Sequence, residues 1–144
     1  MATTAQITLT SDIYSGFGSI TKSMTLTKAG TVTDIEETTG FSRRKLAATT
    51  AVDLITMANE LVEPSDNTAA KVYIKNIGDG RGVFDKSTYV TVKIGDTGGT
   101  TQEVGRLYGN DWLMMPVTVV DDMDVVVAPS TNDAVVLEYT MFYE

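Results

Sequence analysis

Three groups of residues in this chain carry side chains that could do chemistry. Asp121-Asp122-Met123-Asp124 crowds three carboxylates into four positions, the donor type of an oxygen-ligated calcium site. Asp34, Glu36 and Glu37 precede Thr38-Thr39-Gly40, and a pair of carboxylates is the apparatus of glycoside hydrolysis. Gly78-Asp79-Gly80-Arg81-Gly82 is glycine-rich in the manner of a phosphate-cradling loop. Each has a competing, inert reading. The acidic run lacks the downstream Gly and bidentate Glu of an EF-hand loop, and Asp is a favoured turn former. On an alternating strand Glu36 and Glu37 point to opposite faces, so they make no pair. The glycine loop lacks the GK[ST] ending, and no helix follows it to supply a dipole. The chain also has no histidine and no cysteine. That removes the neutral-pH proton shuttle, the thiolate nucleophile and the best ligands for zinc, copper and haem iron. A Ser–His pair is impossible, and no G-x-S-x-G motif is present. The expectation is a binding or structural protein: not an enzyme, with no cofactor and no metal.

The aromatic and basic residues remain. Trp112, Tyr73, Tyr89, Tyr108, Tyr139, Phe142 and Tyr143 read either as a sugar-stacking platform or as fillers of a core or subunit interface, and aromatics on strands more often do the second. Arg43-Arg44-Lys45 is the one dense basic spot, either a solvated strand or turn or a salt-bridging contact with an acidic partner. Formal net charge is −8 and pI about 4.4, so phosphate backbones are repelled and nucleic acid is not an expected partner.

The segments that must position these residues read as strands. Threonine is abundant, at 23 of 144 residues. Gln6–Thr10 and Ser23–Thr27 alternate apolar with small polar residues, and Ser23–Thr27 is expected to form a hairpin with Thr31–Thr38 around Gly30. Val52–Met57 reads as a strand despite a helical pattern over Ala51–Leu61, because Val52, Ile55 and Thr56 are β-branched. Ala70–Asn76 and Ser87–Ile94 alternate most clearly, and Gln102–Leu107, Trp112–Val120, Met123–Ala128 and Ala134–Tyr143 follow between Gly/Asp/Asn/Pro turns. About nine or ten short strands at 8–12-residue spacing predict an all-β single domain, a β-sandwich or jelly roll with Greek-key or meander connections. Val72, Ile74, Val90, Val92, Leu107, Leu113, Val125, Val127, Val136 and Leu137 are the expected core. Residues 1–18, with Tyr14 and Phe17 among glycines and serines, read as an extended N-terminal arm before a domain at 19–144. No stretch approaches the ~20 apolar residues of a membrane helix, so no membrane contact is expected. The N-terminus has neither the basic residue nor the apolar block of a secretory signal, and the lack of cysteine fits synthesis in a reducing cytosol.

The second half carries a resemblance. KVYIKN (Lys71–Asn76), YVTVKIG (Tyr89–Gly95), GRLYGNDWLMMPV (Gly105–Val117), an acidic turn, VVVAPS (Val125–Ser130) and EYTMFYE (Glu138–Glu144) together resemble small virion structural proteins of tailed bacteriophages, those of cyanophages especially. The resemblance spans about half the chain and rests on strand and turn residues. It implies a β-sandwich accessory protein of the particle with no catalytic residues to carry over.

From it follows the expected function: a capsid decoration (cement) protein, made in the host cytoplasm and bound on the outer surface of the shell, with the phage major capsid protein as partner. A tail, neck or fibre-associated virion protein and a carbohydrate-binding host-attachment module are the alternatives. Ile7, Leu9, Ile13, Tyr14 and Phe17 of the arm, with Arg43 and Arg44, are the expected capsid contacts, the arm adding a strand to a coat-protein sheet edge. Tyr139, Met141 and Tyr143 share one face of the last strand and are the expected interface of a homo-oligomer, a trimer by preference.

Overall fold

The structure, a computed structural model, describes residues 3–9, 20–26, 37–60, 69–83 and 86–143. Period-two alternation sets most of it. In β6 (Ala69–Asn76) the inward positions Ala70, Val72, Ile74 and Asn76 are buried, while Lys71, Tyr73 and Lys75 between them are only half-buried. Val90 and Val92 repeat the pattern in β7 (Tyr89–Gly95). In β10 (Val125–Pro129) three successive valines, Val125 to Val127, are fully buried, the continuous apolar run of a strand covered on both faces.

The remaining strands are β1 (Thr3–Leu9), β2 (Ile20–Leu26), β3 (Glu37–Thr38), β4 (Ser42–Leu46), β5 (Val52–Ile55), β8 (Thr101–Tyr108), β9 (Trp112–Thr118) and β11 (Val135–Tyr143). A single helical turn, α1 (Met57–Glu60), follows β5. One sheet has the order β5-β10-β7-β8; the other runs β3-β11-β6-β9, with β4 joining the β3 side of β11. All pairings are antiparallel. β4 pairs β11, β5 pairs β10, β6 pairs β9 and β7 pairs β8, so the chain is one long two-stranded ribbon rolled on itself. That is a jelly roll, and the all-β sandwich expected from the sequence is the fold.

Its core lies between the two sheets, where Val72, Ile74, Leu137 and Met141 meet Leu54, Val90, Val92, Val125 and Val127. Met57 plugs one end, fully buried, and its N–H donates to Asp124 Oδ1 at 2.7 Å. Asn76 ties the sheets at another point: its Nδ2 donates to Leu107 O at 3.0 Å and its Oδ1 accepts from Gly78 N at 2.9 Å. Arg44 does so at the β4–β5 edge, donating to the Asp53 carbonyl. Between β3 and β4 the ladder breaks at Gly40, whose φ of +72° favours glycine. Threonines repair the gap. Thr38 Oγ1 donates to Met141 O at 2.8 Å, and Thr39 Oγ1 accepts from Met141 N at 3.0 Å.

Three expectations need correction. Thr3–Leu9 is not part of an extended arm, because it pairs with β2 from Thr3↔Leu26 to Leu9↔Ile20. Both segments carry the same alternation, and pairing satisfies backbone groups an arm would leave to water; residues 10–19, with the expected boundary at 18, lie outside the described set. β2 pairs with β1; of its expected hairpin partner Thr31–Thr38, residues 31–36 lie outside the described set, and Thr38 pairs with Phe142. Val52–Met57 is strand only to Ile55, with the helical turn next. Of the expected core, Leu113 is half-buried against the cluster, and Val136 sits half-buried on the opposite side of β11 from Leu137.

Ile74→Ala is expected to cost about 2–5 kcal/mol in urea unfolding, because it opens a cavity at the centre of the roll. Ile7→Ala, at a position 47% exposed, should fall within about 0.5 kcal/mol of the parent. Equal losses at the two sites would contradict this core.

Candidate binding face

Register brings together residues that lie far apart in the chain. On the outer side of the β4-β11-β6-β9 sheet, Arg43 stands opposite Glu138, Glu138 opposite Lys75, and Lys75 opposite Trp112. The next row is Thr140, Tyr73 and Met114, and the one after it Phe142, Lys71 and Pro116. Residues two apart on each strand share a face, so these rows form one surface. Trp112 is 45% exposed and Phe41, beside the Gly40 break, 71%. Tyr73 links them: its ring centroid is 6.0 Å from that of Phe41 at 79°, and 6.3 Å from that of Trp112 at 37°. Aromatic residues grouped in this way on a sheet face make it a candidate contact surface.

The β1–β2 hairpin lies along one side of this surface and leaves a cleft of about 510 Å3. Leu26 is buried there, although it does not belong to the central core. Lys22, Lys71 and Lys75 line the cleft, and no Asp or Glu is among its described lining residues. Glu138, the acid on the same face, is occupied by Arg43, whose Nε and NH2 lie 3.0 and 2.9 Å from Oε2. Burial lowers the Lys71 amine from its ordinary range. The Tyr73 phenol is pushed above its ordinary value, first by burial and then by the Glu138 charge.

The expected site residues fall in different places. Ile7 lies on β1 beside the cleft, Leu9 pairs with Ile20 in the same hairpin, and Ile13, Tyr14 and Phe17 lie outside the described residues. Arg43 pairs with Glu138, and Arg44 donates to the Asp53 carbonyl. The interface expected at Tyr139, Met141 and Tyr143 is corrected: Met141 and Tyr143 are buried in the core and Tyr139 packs against it. They share a face of β11 with Leu137, and that face is the one the other sheet packs on.

Asp121 and Asp122 are exposed in a turn, Asp124 is buried against Met57 N, and no three His, Cys, Asp or Glu side chains converge among the described residues. Asp34 and Glu36 lie outside the described set, and Glu37 stands opposite Tyr143. In the glycine loop Asp79 Oδ1 accepts from Arg81 N at 2.7 Å and Val83 N at 3.2 Å, which holds its carboxyl below the ordinary range. Those N–H groups are spent on the loop itself rather than on an anion. Sequence reasoning missed Phe41, Lys71 and Lys75 as site residues; the outward positions of KVYIKN were the available signal.

No family model matches the chain, and no curated protein matches it. Among solved structures, a chain from "Bacillus endospore appendages form a novel family of disulfide-linked pili" is similar at 15% identity and TM-score 0.38, over 78% of this chain and 95% of that one. The Schizosaccharomyces pombe Cnp3 cupin domain is similar at 10% identity and TM-score 0.34, over 99% of this chain and 84% of that one.

Nuclear magnetic resonance of ring-labelled tyrosine should place the Tyr73 midpoint above the ordinary value near 10. Because the folded-state value is raised, this contribution to stability is complete below pH ~10 and is lost as pH climbs through the folded midpoint. Glu138→Gln should lower the midpoint without returning it to the ordinary value, since burial is the larger cause. A midpoint unmoved by Glu138→Gln would remove the charge contribution.

Proposed function

We propose that this chain is a structural protein of a tailed-bacteriophage virion, of the capsid-decoration type, bound to the outer surface of the assembled shell. The resemblance of its second half to small virion proteins supports the reading. So does a closed, filled jelly roll, an architecture used in particle proteins. The observation that carries it is the β1–β2 hairpin, a two-stranded sheet standing outside the sandwich. Two strands alone are marginal in water, and Ile7 on this hairpin is left half-exposed. Such an element gains stability by packing against a partner, here the major capsid protein, and a strand edge of the hairpin can extend a coat-protein sheet.

The work done on the shell is mass action. A subunit that binds only the assembled lattice stabilises it by its binding free energy, and contacts to neighbouring capsomers multiply the effect. A homotrimer remains part of the proposal, matched to threefold positions of an icosahedral shell, but its contact must lie elsewhere than on the inward face of β11.

Ile7→Glu should leave the unfolding midpoint unchanged and weaken binding to undecorated shells at least tenfold, read by co-sedimentation. Undiminished binding would refute the hairpin's role. In analytical ultracentrifugation at micromolar concentration the isolated protein should sediment at three times its 15.5 kDa chain mass. A monomer there would leave any symmetry to the capsid.

A further inference from the structure

The lysine-lined cleft has a character opposite to that of the protein as a whole. Net charge is −8, yet Lys22 and Lys75 line this cleft, and no Asp or Glu is among its described lining residues. Glu138, on the same row as Lys75 and Trp112, is paired with Arg43. Local positive charge on an acidic protein selects anions of modest charge density. A dense polyanion such as nucleic acid meets the repulsion of the whole surface, which acts beyond the cleft over roughly a Debye length of 8–10 Å.

Aromatic rings supply the second half of the recognition. Phe41, Tyr73 and Trp112 lie side by side, their ring centroids 6.0 and 6.3 Å apart. Tyr73 and Trp112, tilted by 37° to one another, are the aromatic floor of the cleft, and Phe41 stands edge-on to Tyr73. The apolar C–H face of a pyranose fits on such a floor, and the Gln6 amide and Ser23 hydroxyl at the hairpin side can meet its hydroxyls. At about 510 Å3 the cleft is in the range of ligand sites of a few hundred to 1,000 Å3, room for a short oligosaccharide.

We infer that this cleft binds an acidic oligosaccharide, its sugar rings stacked along Trp112 and Tyr73 and its carboxylates met by Lys75 and Lys22. The site goes beyond shell binding: it gives a particle-bound protein a means of holding an acidic surface glycan. Uronate polymers and sialylated glycans present the same carboxylated ring, so both are probes.

The test is isothermal titration of the isolated protein with oligogalacturonate and with a sialylated trisaccharide, beside a methyl-esterified oligogalacturonate and an oligothymidylate. Binding to either acidic sugar, at least tenfold weaker for the esterified control, is the expected result; which probe binds tells the two sources apart. Trp112→Ala should weaken that binding at least tenfold. Lys75→Gln, a change on an exposed face, should weaken it several-fold and flatten its salt dependence with the unfolding midpoint unchanged. No binding of either acidic sugar, equal binding of the esterified control, indifference to both substitutions, or tighter binding of oligothymidylate would each overturn the inference. Because the assay contains no shells, its failure leaves the shell-binding reading untouched.

Discussion

β11 lies between β6 on one side and β3 with β4 on the other, and its register with those neighbours fixes both faces of the sheet at once. Inward, Leu137 and Met141 fill the core; outward, Glu138 completes the row from Arg43 to Lys75 and Trp112. A slip of one residue would exchange those faces, burying Glu138 and exposing Leu137. The aromatic surface is therefore a consequence of core packing, not a separate feature. Closing the β4–β11 ladder brings together residues such as Arg43 and Glu138, 95 positions apart, so much of the chain must be ordered before this contact repays its loop entropy. Such topologies fold slowly, because their contacts are non-local.

What the interior holds also bears on function. Asn76, Asp124 and Thr140 are buried polar residues, and among the described residues no buried side-chain polar atom lacks a partner. Each is bound to backbone or to a neighbouring hydroxyl and serves to join strands. The row that carries Trp112 lies on the outside, on a sheet face that no second layer fully covers.

The sequence made the strands legible where alternation was clean. β6, β7, β10 and β11 stand where Val72, Val90, Val125 and Leu137 placed them. Val136 and Leu137 could not both belong to one core, since neighbours on a strand face opposite ways, and the structure turns Val136 out. Partners were harder to read. Alternating threonines in β1 and β2 specify a face and not a neighbour, so their mutual pairing was invisible. The common face of Tyr139, Met141 and Tyr143 was readable, but its destination depends on which side the second sheet packs. Phe41, Tyr73 and Trp112 come from three separate segments, and only the register of β9, β6 and β11 brings them side by side.

The central claim is that the outer sheet face, with Trp112 on it, is open to solvent and to ligands. Trp112 is the chain's one tryptophan, so its fluorescence reports on that face alone. Steady-state emission with acrylamide quenching on the folded protein is the direct measurement. The expected result is a red-shifted emission quenched substantially by acrylamide before any unfolding. A blue-shifted emission resistant to acrylamide would place Trp112 in the interior and contradict it.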